Sequence, residues 1–226
     1  MPTIVVLLLT LLPLAGPAAP SPAPFPATSP ASPSARAGAW SGSYPEAVAA
    51  LPVRREVRDG YDRDEFNHWI GQGDGCDTRD VVLIDESLEE AEVGEDCAVS
   101  GRWHSAYDGV ETVDASSFDI DHVVPLAESW DSGSRSWDDE RRERFANDLG
   151  DRRSLLAVSA SSNRSKGDQD PAEWMPDQGR CRYVRGYVAV KLRWGLSVDR
   201  AEKRFLRKTA RRCPARQLKV RVVPVD

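Results

Sequence analysis

Two separate segments of the chain carry side chains that could together hydrolyse a phosphodiester bond. Residues 119–126 read Asp-Ile-Asp-His-Val-Val-Pro-Leu and include one of the three histidines of the chain. Residues 162–167 read Ser-Asn-Arg-Ser-Lys-Gly. Such a hydrolysis needs a base that activates water, a cation that neutralises the phosphate, and positive groups that hold the nucleic-acid backbone.

Four residues in these segments supply the required groups. His122 can act as the base, since an imidazole titrates near neutral pH. Asp121 offers a hard oxygen ligand of the kind that magnesium, calcium or manganese prefers. Asn163 can add a neutral amide oxygen, and Lys166 at i+3 of a helix would share its face and reach a phosphate.

The geometry of a strand leaves a second interpretation of His122 open. On an ideal strand Asp121 and His122 point to opposite faces, so that His122 lies beside Ile120 and Val124. This arrangement is typical of a core histidine satisfied by one hydrogen bond. Pro125, however, marks the end of the strand, where twist and a turn can bring neighbouring side chains into one cleft.

The elements that must position these residues follow from hydrophobic spacing, caps and turns. The sequence predicts helices over 44–51 and 62–70, strands over 99–107 and 112–124 around a turn at 108–109, a largely helical excursion over 127–149, a strand over 155–158, a helix containing residues 163 and 166, a helix over 183–194, and a last helix from a capping box at 199–202 to 212.

Length and composition predict one exported domain. The chain has 226 residues, with an apolar run over 4–12 and then small residues, which predicts a signal peptide over 1–19. The run is shorter than the roughly 18 apolar residues of a membrane span. Residues 20–43 predict a disordered linker rich in Pro, Ala and Ser, and 44–226 the domain. We therefore expect a secreted protein without membrane contact after signal cleavage, and a monomer is assumed.

The four cysteines fit an oxidising compartment, in which an even number can pair. Three pairings are possible, and we predict Cys76 with Cys97 and Cys181 with Cys213 because each pair closes a self-contained segment. A zinc site is the competing interpretation, but the sequence contains no C-x-x-C pair.

Charge is distributed unevenly along the chain. The net charge of −6 argues by itself against a nucleic-acid partner. Residues 46–130, however, carry 6 basic and 22 acidic side chains, whereas residues 180–226 carry 15 basic and 3 acidic ones. This asymmetry indicates a polyanion-binding surface on the C-terminal part. The alternative is a basic half that the acidic half neutralises within one fold.

Four blocks in this order resemble the HNH endonuclease superfamily, and more closely secreted bacterial proteins related to the C-terminal domain of GmrSD-type restriction enzymes. The blocks are residues 119–126, 145–149, 155–158 and 162–168, and the similarity extends from about Tyr61 to Glu202, including residues 75–79, 107–109 and 170–174. The resemblance implies an α+β fold with a ββα-metal (HNH/His-Me finger) core over about 101–175, surrounding helices that include basic ones over 180–213, and disulfides as staples.

The resemblance also implies a role for each site residue. His122 matches the general base, Asp121 and Asn163 the metal ligands, Asn147 the residue that braces the loop and orients the histidine, and Lys166 the basic residue after the helix-borne ligand. The implied cofactor is a divalent cation, Mg²⁺ first, with Mn²⁺ or Ca²⁺ as alternatives. The implied substrate is DNA, or RNA, cleaved by in-line attack of water to leave a 5′ phosphate.

One departure from the family pattern affects which position of that pattern Asn147 matches. Arg153 and Ser154 stand where an Asn-Leu pair packing the second strand is expected.

Two other classes of function remain open at this point. An HNH fold without catalysis could bind nucleic acid or another polyanion through its basic C-terminal half. A nucleophilic hydrolase could pair His122 with a serine of the segment 159–162, namely Ser159, Ser161 or Ser162, but the G-x-S-x-G turn typical of such enzymes is absent from the sequence.

Overall fold

The structure of the protein, a computed structural model, describes residues 38–224. The predicted signal peptide and most of the predicted linker lie outside these residues. The end of the linker needs a correction, because Ala39–Ser43 forms a strand that pairs antiparallel with Gln217–Arg221. Trp40 in this strand packs against the main core. Burial of this apolar side chain explains why a segment predicted to belong to the linker forms a strand.

Short elements make up the described residues. The strands are β1 (Ala39–Ser43), β2 (Gly71–Gly73), β3 (Cys76–Asp77), β4 (Glu92–Val93), β5 (Val99–Ser100), β6 (Trp103–His104), β7 (Glu111–Thr112), β8 (Phe118–His122), β9 (Leu155–Ser159) and β10 (Gln217–Arg221). The α-helices are α1 (Tyr44–Ala50), α2 (Thr78–Glu86), α3 (Leu126–Asp131), α4 (Asp139–Ala146), α5 (Ala160–Lys166), α6 (Arg180–Trp194) and α7 (Arg200–Ala210).

An antiparallel pair of strands followed by a helix lies at the centre. β8 pairs with β9 so that Phe118 is opposite Ser159 and His122 is opposite Leu155. Ser159 ends β9 and caps α5, since its side chain accepts a hydrogen bond from the backbone N–H of Ser162. Gly167 ends the helix at a positive φ of 52°, a conformation that glycine adopts without a steric cost.

The two faces of this strand pair are buried against different clusters. Leu156 and Val158 join the main cluster, which includes Tyr187 and other apolar residues of α6. Phe118 and Ile120 on the other face join a smaller cluster, whose remaining buried members are Val82, Leu83, Trp103, Leu155 and Ala157. Burial on both faces fixes the register, because a one-residue slip would exchange the two sets of side chains.

Besides the predicted strand over 99–107, which is only the two short strands β5 and β6, two predicted elements differ from the structure. The predicted helix over 62–70 is only a 3₁₀ turn, Arg63–Glu65, and Trp69 takes a left-handed φ of 59° that is incompatible with a helix. The predicted strand over 112–124 is interrupted by a 3₁₀ turn, Ala115–Ser117, which the Asp114 side chain caps. In both places a local side-chain cap competes with regular structure. The predicted hairpin turn at 108–109 is confirmed between β6 and β7.

The predicted disulfides are confirmed: Cys76 is bonded to Cys97, and Cys181 to Cys213. The second bond joins the first turn of α6 to the segment after α7, and β10 then returns to pair with β1. The fold is therefore α+β with two disulfides. Over residues 38–224, no helix is both long and apolar enough to cross a membrane.

Candidate active site

The two chemistry-bearing segments meet at one cleft. Asp121 and His122 from the end of β8 line it together with Asn163 from α5. The antiparallel pairing of β8 with β9 brings them together, because α5 follows β9 directly and packs back against both strands. Arg63, Arg164 and Asp168 complete the polar part of the lining, and all three are exposed.

His122 is held as a neutral imidazole. Its Nε2 lies 2.8 Å from the carbonyl oxygen of Ala146, and since a carbonyl only accepts, Nε2 carries the proton. The ring stacks on Trp69 at a centroid distance of 5.3 Å and an interplanar angle of 29°. Burial lowers the pKa of His122 to about 3, against the opposing effect of the Ala146 carbonyl. The tautomer leaves Nδ1 as the nitrogen that can accept a proton.

Asp121 is buried and already bears two hydrogen bonds. Lys166 Nζ lies 2.6 Å from Oδ1, and the hydroxyl of Tyr107 lies 2.5 Å from Oδ2. Burial raises the pKa of Asp121, while the Lys166 ammonium acts in the opposite direction. Each carboxylate oxygen retains a further lone pair, so Asp121 can coordinate a cation only while it shares these oxygens with Lys166 and Tyr107.

Lys166 does not lie where the sequence placed it, and the expected contact with phosphate needs a correction. Its side chain is fully buried, and Nζ donates to Asp121 Oδ1 and to the backbone carbonyl of His122 at 2.8 Å. The sequence prediction assumed that residues 163 and 166 share an exposed face. In the structure α5 turns Lys166 inward, because the buried carboxylate of Asp121 needs a compensating charge.

Asn163 lies beside Asp119, two residues before Asp121 on β8. The amide Nδ2 of Asn163 lies 3.2 Å from Asp119 Oδ2, and Arg164 Nε lies 3.4 Å from the same oxygen. Asn163 therefore donates through nitrogen and keeps its Oδ1 as a neutral oxygen ligand. The i, i+2 spacing of Asp119 and Asp121 on a strand is the signal that places both carboxylates toward α5.

Asn147 braces the loop that carries Trp69. Its Nδ2 donates to the carbonyl of Asn67 at 2.8 Å, and its Oδ1 accepts from the backbone N–H of Ile70 at 3.2 Å. The hydroxyl of Thr78 donates to the same Oδ1 at 2.8 Å. Both ends of the loop that stacks on the histidine are thus tied to Asn147, and the residue before it, Ala146, provides the carbonyl that contacts His122.

The donor set of the cleft fits a hydrated divalent cation. Asp121 and Asn163 supply hard oxygens, and Mg²⁺ commonly takes only one or two protein ligands while it keeps several waters and substrate oxygens. The carboxylate of Asp121 is the constrained member, because Lys166 and Tyr107 hold both of its oxygens.

The sequence did not single out Arg63. It lies more than fifty residues before His122, in a segment predicted to be helical, and no local pattern links the two residues. Arg164 stands next to Asn163, but its spacing in the sequence could not show whether Arg164 lines the cleft or lies on the solvated surface. Both guanidinium groups can bind a phosphate through paired hydrogen bonds.

The strand register argues against Ser159 as the nucleophile of a serine hydrolase. His122 is paired with Leu155, whereas Ser159 is paired with Phe118 at the opposite end of the same ladder. Four residues of strand separate the two positions by about 13 Å. Ser159 and Ser162 instead donate to the carboxylate of Asp108.

The basic C-terminal part divides into internal and exposed cations. Lys191 pairs with Glu128, Arg193 with Asp148, and Lys203 donates to backbone carbonyls at the end of α1. All three side chains are buried, and carboxylates neutralise two of them, Lys191 and Arg193. The remaining cations of α7 and of the segment after it are exposed, namely Arg200, Arg204, Arg207, Lys208, Arg211, Arg212 and Arg216.

Comparison with known proteins gives two matches. The family model described as "GmrSD restriction endonucleases, C-terminal domain" matches residues 80–209. A protein of Arthroderma benhamiae, named as an uncharacterized secreted protein, is 42% identical over 169 residues, which are 74% of this chain and 82% of the relative. No solved structure matches the chain at a significant level.

Proposed function

Since the chain belongs to the family of GmrSD restriction endonuclease C-terminal domains, we propose that it is a secreted, metal-dependent HNH endonuclease that hydrolyses phosphodiester bonds of DNA. The family is one of nucleases, which suggests nucleic acid as the substrate. The protein is secreted, in keeping with its secreted relative and with its two disulfides.

The observation that carries this proposal is the convergence of Asp121, His122 and Asn163 on one cleft. More than forty residues separate the first two from the third, so their meeting is a property of the fold rather than of the local sequence. Two strands and the helix that follows them, β8, β9 and α5, supply all three residues, which supports a ββα-metal core.

In this proposal His122 is the general base and accepts the proton of the attacking water at Nδ1. The carbonyl of Ala146 fixes the tautomer, and the stacked ring of Trp69 fixes the plane of the imidazole. Burial keeps the imidazole unprotonated at neutral pH, and the same lowered pKa makes it a weaker base than an exposed histidine. Asn147 is a positioning residue that holds the loop carrying Trp69.

Asp121 and Asn163 would hold the divalent cation, for which Mg²⁺ is the first candidate. Such a cation neutralises charge on the phosphate and on the departing oxygen. Lys166 is reassigned as a positioning residue, because its ammonium group lies in the interior and orients the carboxylate of Asp121. Arg63 and Arg164 take over the predicted role of holding the nucleic-acid backbone at the mouth of the cleft.

The test is cleavage of plasmid DNA by the mature protein with Mg²⁺. We expect nicked and linear products that disappear with EDTA and with His122→Ala, whose rate should fall by about 10²–10⁴-fold. His104→Ala is the matched control, since His104 is exposed on β6 and lies outside the cleft. Activity that survives His122→Ala or EDTA would overturn the mechanism.

The same assay compares the divalent ions as cofactors, and DNA with RNA as substrates. Replacing Mg²⁺ by Mn²⁺ or Ca²⁺ ranks the ions, and a parallel digestion of RNA shows whether the 2′-hydroxyl is tolerated.

One observation favours the alternative of a binding module without catalysis. Both oxygens of Asp121 are already engaged by Lys166 and Tyr107, so coordination of an ion requires shared oxygens. Salt-dependent DNA binding without cleavage under any divalent ion would establish that alternative.

A further inference from the structure

Four carboxylates converge at a place that the proposed nuclease mechanism does not use. Asp170, the first residue of the Asp-Pro-Ala-Glu-Trp stretch, meets Glu56, Asp199 and Glu202, and one oxygen of each lies within 4.8 Å of the others. Glu56 comes from the segment after α1, Asp170 from the turns after α5, and Asp199 and Glu202 from the start of α7. None of the four lines the cleft of His122.

When its four carboxyl groups are ionised, the cluster carries more negative charge than Lys191 neutralises, and burial raises the pKa of Glu202 to about 8 and that of Asp170 to about 6. Lys191 is the buried cation beside it, and its Nζ lies 2.5 Å from Glu128 Oε1 but 3.4 Å from Glu202 Oε1. Glu202 is fully buried, and only 6% of Asp170 is exposed. Burial, followed by repulsion between the carboxylates, raises the pKa of Glu56 to about 7.

The backbone hydrogen bonds of the cluster leave further oxygens available. Asp170 Oδ1 accepts from the N–H groups of Ala172 and Glu173, Asp199 Oδ1 accepts from that of Glu202, and Glu202 Oε2 accepts from that of Asp199. Glu202 Oε1 accepts no hydrogen bond from any described residue. These bonds orient Asp170, Asp199 and Glu202, and the second oxygen of each is the one that can bind a ligand.

A buried tyrosine hydroxyl beside Glu202 points to a missing ligand. Tyr187 lies against Glu202, whose pKa it lowers, yet within residues 38–224 its hydroxyl makes no hydrogen bond of normal geometry. The hydroxyl of Tyr183 is also buried and unpaired in the described part of the chain, but the carboxylate that raises its pKa most is Asp121, outside the cluster. Buried hydroxyls normally have partners, and water bound to a cation would provide them.

We propose that Glu56, Asp170, Asp199 and Glu202 form a second, structural cation site that binds Ca²⁺. Oxygen separations of no more than 4.8 Å are compatible with four oxygens at the Ca²⁺–oxygen distance of about 2.3–2.6 Å. Ca²⁺ also accepts six to eight oxygens, which allows bidentate carboxylates and waters. The ion would tie the segment after α1 and the turns after α5 to the start of α7.

The test is thermal unfolding of the full mature chain in EDTA and then in increasing CaCl₂. Extracellular calcium sites commonly have Kd values of about 10⁻⁴–10⁻³ M. At a tenfold excess over Kd, a chain of this size should gain roughly 3–6 °C in Tm. Isothermal titration with CaCl₂ gives the stoichiometry, which we expect to be one strong site that prefers Ca²⁺ to Mg²⁺.

Glu56→Gln is the informative variant, since Glu56 is only half-buried and glutamine keeps its shape. We expect it to raise Tm in EDTA, because repulsion is relieved, and to weaken Ca²⁺ binding by at least about tenfold. Asp199→Asn, which retains a helix cap, should behave in the same way. The exposed Glu89→Gln is the control and should leave both quantities unchanged.

Asn163→Ala separates this site from the proposed nuclease site, and we expect it to keep the full Ca²⁺-dependent gain in Tm. The inference is overturned if CaCl₂ does not raise the Tm of the wild-type protein, or if Glu56→Gln and Asp199→Asn retain the full gain. It is also overturned if the gain disappears in Asn163→Ala but persists in Glu56→Gln. None of these outcomes depends on whether DNA is cleaved.

Discussion

Lys166 Nζ lies 2.6 Å from Asp121 Oδ1, in an ion pair whose side chains are 0% and 4% exposed. The pair joins α5 to the end of β8, and Lys166 also donates to the carbonyl of His122. It therefore links the helix that carries Asn163 to the strand that carries His122. Removing one partner of such a pair strongly destabilises the folded state, because the remaining charge stays buried without a counter-ion.

The first prediction concerns this ion pair. Lys166→Met should lower the free energy of unfolding by about 3–5 kcal/mol, because the carboxylate of Asp121 loses its buried counter-ion. Urea denaturation measures the loss, and Lys208→Met on the exposed side of α7 is the matched control. The double variant Asp121→Asn/Lys166→Met should recover part of the loss. A change no larger than that of the control would mean that the pair is not buried in solution.

The second prediction concerns the bracing role of Asn147. Asn147→Asp places a carboxylate against the carbonyls of Asn67 and Glu143, so it should cost at least about 2 kcal/mol and release the loop that carries Trp69. His122 then becomes more hydrated, and its pKa should rise from about 3 toward 6.5.

An NMR titration of the histidine ring protons measures this shift. Thr78→Val, which removes a single donor to Asn147, should give a smaller change in the same direction. An unchanged His122 titration in Asn147→Asp would contradict the bracing role.

The third prediction tests the two cleft arginines. Arg63→Ala/Arg164→Ala should weaken DNA binding and reduce the slope of log K against log salt by about 2, since each phosphate contact contributes about 0.9. Fluorescence anisotropy over a range of salt concentrations measures the slope. Arg211→Ala/Arg212→Ala, beyond the end of α7, is the comparison. A larger effect of the second pair would assign DNA binding to the basic C-terminal part.

The fourth prediction is a pH dependence of stability that arises at Glu86. Burial raises the pKa of this carboxyl group from 4.5 to about 7, while it accepts a hydrogen bond from the backbone N–H of Ala157. The folded state thus favours the protonated form of Glu86. The stability that this group contributes is present below pH 4.5 and is lost as pH rises through 7.

Glu86→Gln removes this titration and keeps an acceptor for Ala157. The free energy of unfolding of the wild type should fall between pH 4.5 and 8. After allowance for partial solvent exposure, that of the variant should fall by about 1–2 kcal/mol less. Urea denaturation at several pH values checks this, and the exposed Glu90→Gln should follow the wild type. Parallel curves for Glu86→Gln and the wild type would contradict the raised pKa.

Local sequence determined many of the individual elements. The helix over 183–194, the capping box before α7 and the turn at 108–109 were all predicted, because each depends on residues within one or two turns of one another. The two disulfides were predicted for a similar reason, since each closes a segment of 21 or 32 residues. The opposite orientation of Asp121 and His122 also followed directly from the period of a strand.

Only the tertiary structure decided what each side chain meets. Spacing placed Lys166 on a helix face, but the burial of Asp121 on a neighbouring strand determined that this face turns inward. Arg63 reaches the cleft, and Glu56 the carboxylate cluster, through packing between segments that are far apart in the chain. The period of an element fixes which residues share a face, whereas the long-range balance of burial and charge decides what covers that face.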